Sequence, residues 1–270
     1  MADATPEQAP GIPAKINTDV PQSARIWNYW LGGTDNYEVD RVAGDEYKAV
    51  YPPIVDIARS GRYFMARAIN FLAKEIGIRQ FLDCGTGLPT VDNTHEVAQR
   101  AAPEARIVYV DNDPLVLAHA RALLTSATPA NTTYIDVDLH DPDKIIKQAG
   151  RSLDLSKPVA VILIGVMGHV IDADEAQSVI RKLMGPLVSG SYLVLHDSTN
   201  ADEAFNAAQK SYDDTGAIPF RLRSPEFIAH YFDGLEPVEP GIVPGPRWRP
   251  EVEPIDAADL PTLCGVARKP

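Results

Sequence analysis

The segment Phe81-Leu82-Asp83-Cys84-Gly85-Thr86-Gly87-Leu88-Pro89-Thr90 sets an acidic residue just before a Gly-x-Gly turn. Lacking Cβ atoms, Gly85 and Gly87 let a ligand lie directly against the backbone. A helix expected to follow the turn would aim its free N–H groups at the same place and favour a carboxylate there. Asp83 can receive an ammonium group, so a ligand carrying both charges, such as an amino acid, suits this turn. Asp111 ends the next expected strand, and its two oxygens can accept from the adjacent hydroxyls of a ribose. Asp113 has a different task, capping a helix that begins with Pro114. Asp138 follows a third strand, where it can accept from an adenine amino group while Leu139 packs on the ring. Plainer roles exist for each: a structural turn, a solvated carboxylate, a cap for the helix after Asp141. The joint pattern is more specific than any member.

These residues work together only if one sheet edge carries them all. From residue 79 the chain reads strand, turn, helix, repeatedly: strands at 80–82, 106–110, 133–137, 158–166 and 191–196, with helices between them. Alternation of this kind implies a parallel sheet covered on both faces, with ligands bound where the strands' carboxyl ends meet. The first helix after the turn is expected through about Ala102, and the next from Pro114 to Leu124. Others are expected at about Asp141–Ala149, Asp174–Leu187, Ala201–Tyr212 and from Ser224 to Phe232. Leu235–Val243 and Thr262–Ala267 read as two last strands joined by a Pro-rich loop, which suits an antiparallel pair. Ahead of the sheet, three helices are expected: Ser23–Leu31 with Ser23 as its cap, Glu38–Val50, and one carrying Phe64, Ala68, Phe71, Leu72 and Ile76 that stops at Gly77. Residues 1–20 show no periodicity and read as a mobile tail. The expected organisation is therefore a tail (1–20), a helical extension (21–77) and an α/β domain (78–270).

Composition narrows the partners. Thirty-seven Asp and Glu against 25 Lys and Arg leave a formal charge of −12, which disfavours nucleic acid and anionic membrane surfaces. The longest apolar run, Val159 to Gly168, is too short to span a bilayer. The N-terminus lacks a signal-peptide pattern, and two cysteines make no disulfide framework. A cytoplasmic location is the expectation.

Several segments together resemble class I S-adenosylmethionine-dependent methyltransferases, and more narrowly an actinobacterial family of largely unassigned substrates. They are Ser23–Ile26 through Leu31–Asn36, Phe81–Thr90, His95–Gln99, Tyr109–Pro114, Leu117–Arg121, Pro244–Pro250 and Cys264–Ala267. The resemblance implies a Rossmann-like, doubly wound seven-stranded sheet, mostly parallel with an antiparallel last strand. It implies S-adenosyl-L-methionine as cofactor, touched by Gly85, Gly87, Asp111, Asn112 and Asp138. It also implies N-terminal helices covering the site, with Tyr29, Asn36 and Arg62 as candidate lid residues. The chain departs from the family at Met167-Gly168-His169, where paired histidines are frequent, and at His196-Asp197-Ser198, where a Ser-His pair is more usual.

If the strand order is the implied one, Cys84 and Cys264 lie about 14 Å apart and cannot be bridged. A general base is needed only for a hydroxyl or protonated-amine acceptor, and His169 and His196 are the candidates because both end strands. Asp136, Asp138 and Asp141 form the one candidate metal grouping, which adenine binding explains more simply. Three functions stay open at this point: a methyltransferase acting on a small-molecule acceptor, an adenosylmethionine-binding regulator, and an NAD-dependent oxidoreductase. Thr90 weighs against the last, since it stands where a dinucleotide fingerprint has its third glycine.

Overall fold

The structure, a computed structural model, describes residues 16–90, 92–119, 131–215, 217–250 and 260–270. Its core is a seven-stranded sheet in the order β3-β2-β1-β4-β5-β7-β6. The strands are β1 (Gln80–Cys84), β2 (Arg106–Asp111), β3 (Thr132–Asp136), β4 (Ala160–Ile164), β5 (Tyr192–Ser198), β6 (Glu236–Pro237) and β7 (Thr262–Arg268). The first five pair in parallel, while β7 runs antiparallel to β5 and β6 antiparallel to β7. Strand order reverses between β1 and β4, which opens the crevice there.

Period-two alternation distributes the core to two faces. On one face Leu82, Val108, Val161 and Leu193 pack under helices α6 (Pro142–Ala149) and α7 (Ala173–Met184). On the other, Phe81, Ile107, Ile162 and Val194 pack under α3 (Ile54–Phe71) and α4 (Thr94–Ala101). Thus α3, although N-terminal to the sheet, shares the sheet's own core. Helices α1 (Ser23–Trp30), α2 (Glu38–Val50) and α8 (Glu203–Asp213) make a third cluster through Ile26, Trp30, Tyr47, Phe205 and Tyr212. The remaining helices are α5, helical over 114–119, and α9 (Pro225–Ala229).

A buried ion pair fastens this N-terminal layer. Arg25 Nε lies 2.9 Å from an oxygen of Asp40, both almost fully buried. The same guanidinium donates to the carbonyls of Asn17 and Val20, so residues 17–20 are tied down; residues 1–15 of the expected tail lie outside the described residues.

Four expectations about elements change. The cap of α1 is Gln22, whose side chain accepts from Ala24 N–H, rather than Ser23. Leu235–Val243 is not one strand: pairing covers Glu236–Pro237, breaks at a turn through Gly241, and resumes as a single bridge from Val243 to Cys264. The third N-terminal helix widens into a π turn (Leu72–Ile76) before Gly77 takes a left-handed φ of 87°. The helix expected directly after the glycine turn starts only at Thr94, with consequences for the site. The end of the helix expected at Leu124 falls outside the described residues. Both cysteines are free and buried.

Candidate functional site

A cavity of about 270 Å³ opens at the carboxyl edge of β1, β2 and β4. Its floor is the turn after β1. Gly85 and Gly87 take φ of 71° and 65°, a region that costs other L residues dearly. A Cβ on Gly85 would fall inside Val166, whereas one on Gly87 would meet nothing within 4 Å, so the second glycine leaves open space for a ligand.

The Asp111 carboxylate is aimed by the backbone. One oxygen accepts the Gly87 N–H at 2.9 Å and the other the Asp113 N–H at 2.9 Å. Each oxygen keeps a further lone pair for an outside donor. Burial pushes this carboxyl above its ordinary value, with the two N–H donors opposing. Asp113 caps α5, accepting from Leu115 and Val116 N–H. Beyond β3, Asp138 accepts from Asn112 Nδ2 at 2.6 Å and from His140 N–H at 2.9 Å, with Leu139 beside it in the cavity wall.

Asp83 lies on the α3 side of β1, fully buried, and takes a 2.5 Å hydrogen bond from Thr94 Oγ1. Burial pushes it up to about 6, opposed by Thr94 and by the Arg62 guanidinium. The helix terminus expected to face a ligand carboxylate does not do so. It is closed by a capping box, with Asn93 as the cap and Glu96 reaching back to the Asn93 N–H at 2.8 Å. Positive charge comes instead from α3. Arg62 lines the cavity, donates to Thr90 and to Asn93 Oδ1, and shares its field with Asp83. Thr90 thus accepts from the Arg62 guanidinium where a dinucleotide fingerprint would have its third glycine.

The two other lid candidates lie off the cavity. Tyr29 turns its hydroxyl to Asp45 at 2.9 Å. Asn36 acts at one remove: its Nδ2 donates to Asn28 Oδ1 at 3.0 Å, and Asn28 is the residue that reaches the cavity wall. Trp27, Asn28, Ala58 and Met65 were not singled out from the sequence. They come from two helices, α1 and α3, and meet at the cavity only in the folded chain.

The two candidate bases separate clearly. His169, in a 3₁₀ turn (Met167–His169), lines the cavity. Its Nδ1 is 3.0 Å from the Pro219 carbonyl, which can only accept, so Nδ1 carries the hydrogen and Nε2 the free lone pair. Phe220 packs edge-on against the imidazole with centroids 5.1 Å apart, in the space where Gly168 lacks a side chain. Burial lowers the His169 pKa.

His196 does not reach the cavity. Pairing with β7 carries β5 on to Ser198, so His196 sits within the strand rather than at its end. Its ring faces α3, stacked at 6.1 Å on Phe64, and is 1% exposed. Burial lowers its pKa to about 4. The assignment of His196 as a base is therefore corrected.

Among the described residues no group of three or more His, Cys, Asp or Glu is placed to hold a metal ion, and no helix is long and apolar enough to cross a membrane. What the cavity offers is a buried acid and cation at one end, an acid anchored by two backbone N–H groups in the middle, an amide-acid pair beyond it, and an oriented histidine near the β4 loop.

Residues 10–270 match the family model described as S-adenosyl methyltransferase. A solved DUF574 family protein from Streptomyces avermitilis is 42% identical, with 94% of this chain and 99% of that chain covered and a TM-score of 0.88. A chain from Thermobifida fusca YX is 38% identical, covering 93% and 95%, with a TM-score of 0.86. An O-methyltransferase family protein from Burkholderia thailandensis is 16% identical over 76% of this chain and 55% of that one, with a TM-score of 0.50, a likeness of fold alone. None of the curated proteins compared with the chain matches it.

Proposed function

The chain belongs to the S-adenosyl methyltransferase family, and on that premise we propose that it methylates a small molecule held beside His169 under α1 and α3. The observation that carries this reading is the Nδ1–Pro219 hydrogen bond, which leaves His169 with one free basic nitrogen in the wall of the cofactor cavity.

The residues present suit the cofactor. Asp83 would receive its ammonium and Arg62 its carboxylate, with Gly85 and Gly87 against the chain between them. Asp111 would take the ribose hydroxyls, and Asn112, Asp138 and Leu139 would surround the adenine. When bound, the cofactor supplies a methyl group on a positively charged sulfur, which is already a strong electrophile.

The protein's own contribution is alignment, exclusion of water and removal of a proton. Trp27 and Asn28 from α1, with Ala58 from α3, close the cavity over the β4 loop. His169, kept neutral by its surroundings, takes the acceptor's proton at Nε2. Asp111 and Asp138 are each pinned by backbone N–H groups, so their orientation needs no adjustment on binding.

Two measurements test the proposal. Labelled methyl transfer into a metabolite extract should yield a small methylated product. In His169→Gln the transfer rate should drop by about 10²–10⁴, the usual worth of a positioned base. Calorimetry with S-adenosylhomocysteine should give the same affinity for this variant as for the parent chain. Full adenosylhomocysteine binding with no transfer in broad extracts would mark a cofactor-binding regulator instead.

A further inference from the structure

A second, narrower chamber of about 30 Å³ adjoins the cofactor cavity, and Ser23, Trp27 and His169 belong to the walls of both. Its far walls are Ile26, Trp30, Tyr47, Ile54, Phe205 and Tyr212. Neighbouring rings meet edge to face: Trp27 and Trp30 at 6.0 Å, Trp30 and Tyr47 at 5.4 Å, Tyr47 and Tyr212 at 5.6 Å. Of these rings Trp27 also lines the larger cavity, where it offers an edge or face to another aromatic group.

No Asp, Glu, Lys or Arg stands among the described residues that line this chamber. Its one amide is already engaged, Gln209 accepting from Tyr47 at 3.1 Å and donating to Asp213 at 2.9 Å. The other polar side chains on its walls, Ser23, Ser198, His169 and the two tyrosines, include no acidic group, lysine or arginine, so a charged group entering here would lose its hydration without gaining a counter-ion. The volume is that of one or two water-sized groups, enough for a small substituent but not for a ring. A ring must therefore stay in the larger cavity.

We propose that the acceptor is an uncharged single-ring phenol whose ring lies against Trp27, whose hydroxyl faces His169, and whose small apolar substituent enters the narrow chamber. This rests on the reading of the larger cavity as the cofactor site. Methylation there forms an O–C bond at the phenol as the S–C bond of the cofactor breaks, leaves the phenol proton on Nε2 of His169, and releases S-adenosylhomocysteine. A carboxylate, ammonium or phosphate substituent does not suit the walls of the narrow chamber.

The test is binding, measured by calorimetry and ligand-observed NMR on the full chain saturated with S-adenosylhomocysteine. The probes are 2-, 3- and 4-methylphenol against the three matching hydroxybenzoates, which replace the methyl with a carboxylate. At least one methylphenol should bind tenfold or more tightly than its carboxylate partner. In Ile54→Ala, which widens only the narrow chamber, preference should move at least fivefold towards the corresponding ethylphenol, with the melting temperature recorded to show that the variant is folded. Carboxylates binding as well as the methylphenols, or none of the six binding to the saturated protein, would overturn the acceptor assignment alone. Failure of S-adenosylhomocysteine itself to bind would overturn the cofactor reading, and this inference with it.

Discussion

The carboxylate of Asp111, at the end of β2, accepts the backbone N–H of Gly87, in the turn after β1, at 2.9 Å. The carboxyl ends of two strands are thereby joined where both line the cavity. The bond restrains the glycine turn, whose backbone is otherwise the most permissive in the site, and holds the carboxylate ready for hydroxyl donors. Asp113 N–H secures the second oxygen.

Replacement of Asp111 should weaken the cofactor by more than a lost contact. Asp111→Ala removes the ribose acceptor and releases Gly87, so S-adenosylhomocysteine affinity should fall by about 1–3 kcal/mol, the usual range for leaving polar partners unsatisfied. Calorimetry checks this, and an unchanged affinity would take Asp111 out of the ribose role.

Cofactor binding should depend on pH through Asp83. Burial raises its folded value to about 6, against about 3.9 in an unfolded chain. The stability its protonated form contributes is complete below the unfolded value and is lost as pH rises through about 6. Only the ionised form attracts an ammonium, so affinity should decline as pH falls through about 6, approaching tenfold per pH unit. Arg62→Met removes a cation that lowers this value and should move the midpoint upward. A titration of affinity from about pH 5 to pH 8 that stays flat would exclude Asp83 as the ammonium partner.

His196 should affect stability rather than catalysis. Its folded pKa is lowered to about 4 by burial, below the unfolded value of about 6.5. Unfolded chains therefore take up a proton first, and stability should be lost as pH falls from about 6.5 towards 4. In His196→Leu that slope should flatten in urea unfolding curves. A methyl-transfer rate reduced a hundredfold in this variant, with normal stability, would instead return His196 to the active site.

The Arg25–Asp40 pair should be the weak point of the N-terminal layer. Asp40→Ala leaves a buried guanidinium without its counter-ion and should cost about 3–5 kcal/mol. Asp40 also accepts from Gln22 and Tyr37 N–H, so loosening should spread from α1 to α2. Hydrogen exchange confined to these helices, with protection of β1–β5 retained, is the expected pattern; uniform loss of protection would mean the layer unfolds only with the whole chain.

Periodicity and turn chemistry are local properties, and what they determine was legible in the chain itself. The continuous apolar run Val159–Ile164 implies a strand covered on both faces. Gly85 and Gly87 admit a ligand against the backbone, and Asp113-Pro114 favours a helix start. Asp83, Asp111 and Asp138 must all fall on one edge once the strands are parallel, while the identity of the cofactor came from the family resemblance of whole segments.

What depends on distance in sequence was decided by packing. Whether His169 or His196 reaches the cavity turns on where β5 stops, and β5 stops where β7, some 65 residues later, ceases to pair with it. The tautomer of His169 depends on a carbonyl at Pro219, and the positive charge in the cavity wall on Arg62, carried by a helix that precedes the sheet. No spacing within one segment encodes such meetings, because each exists only after two faces have closed and water between them has been expelled.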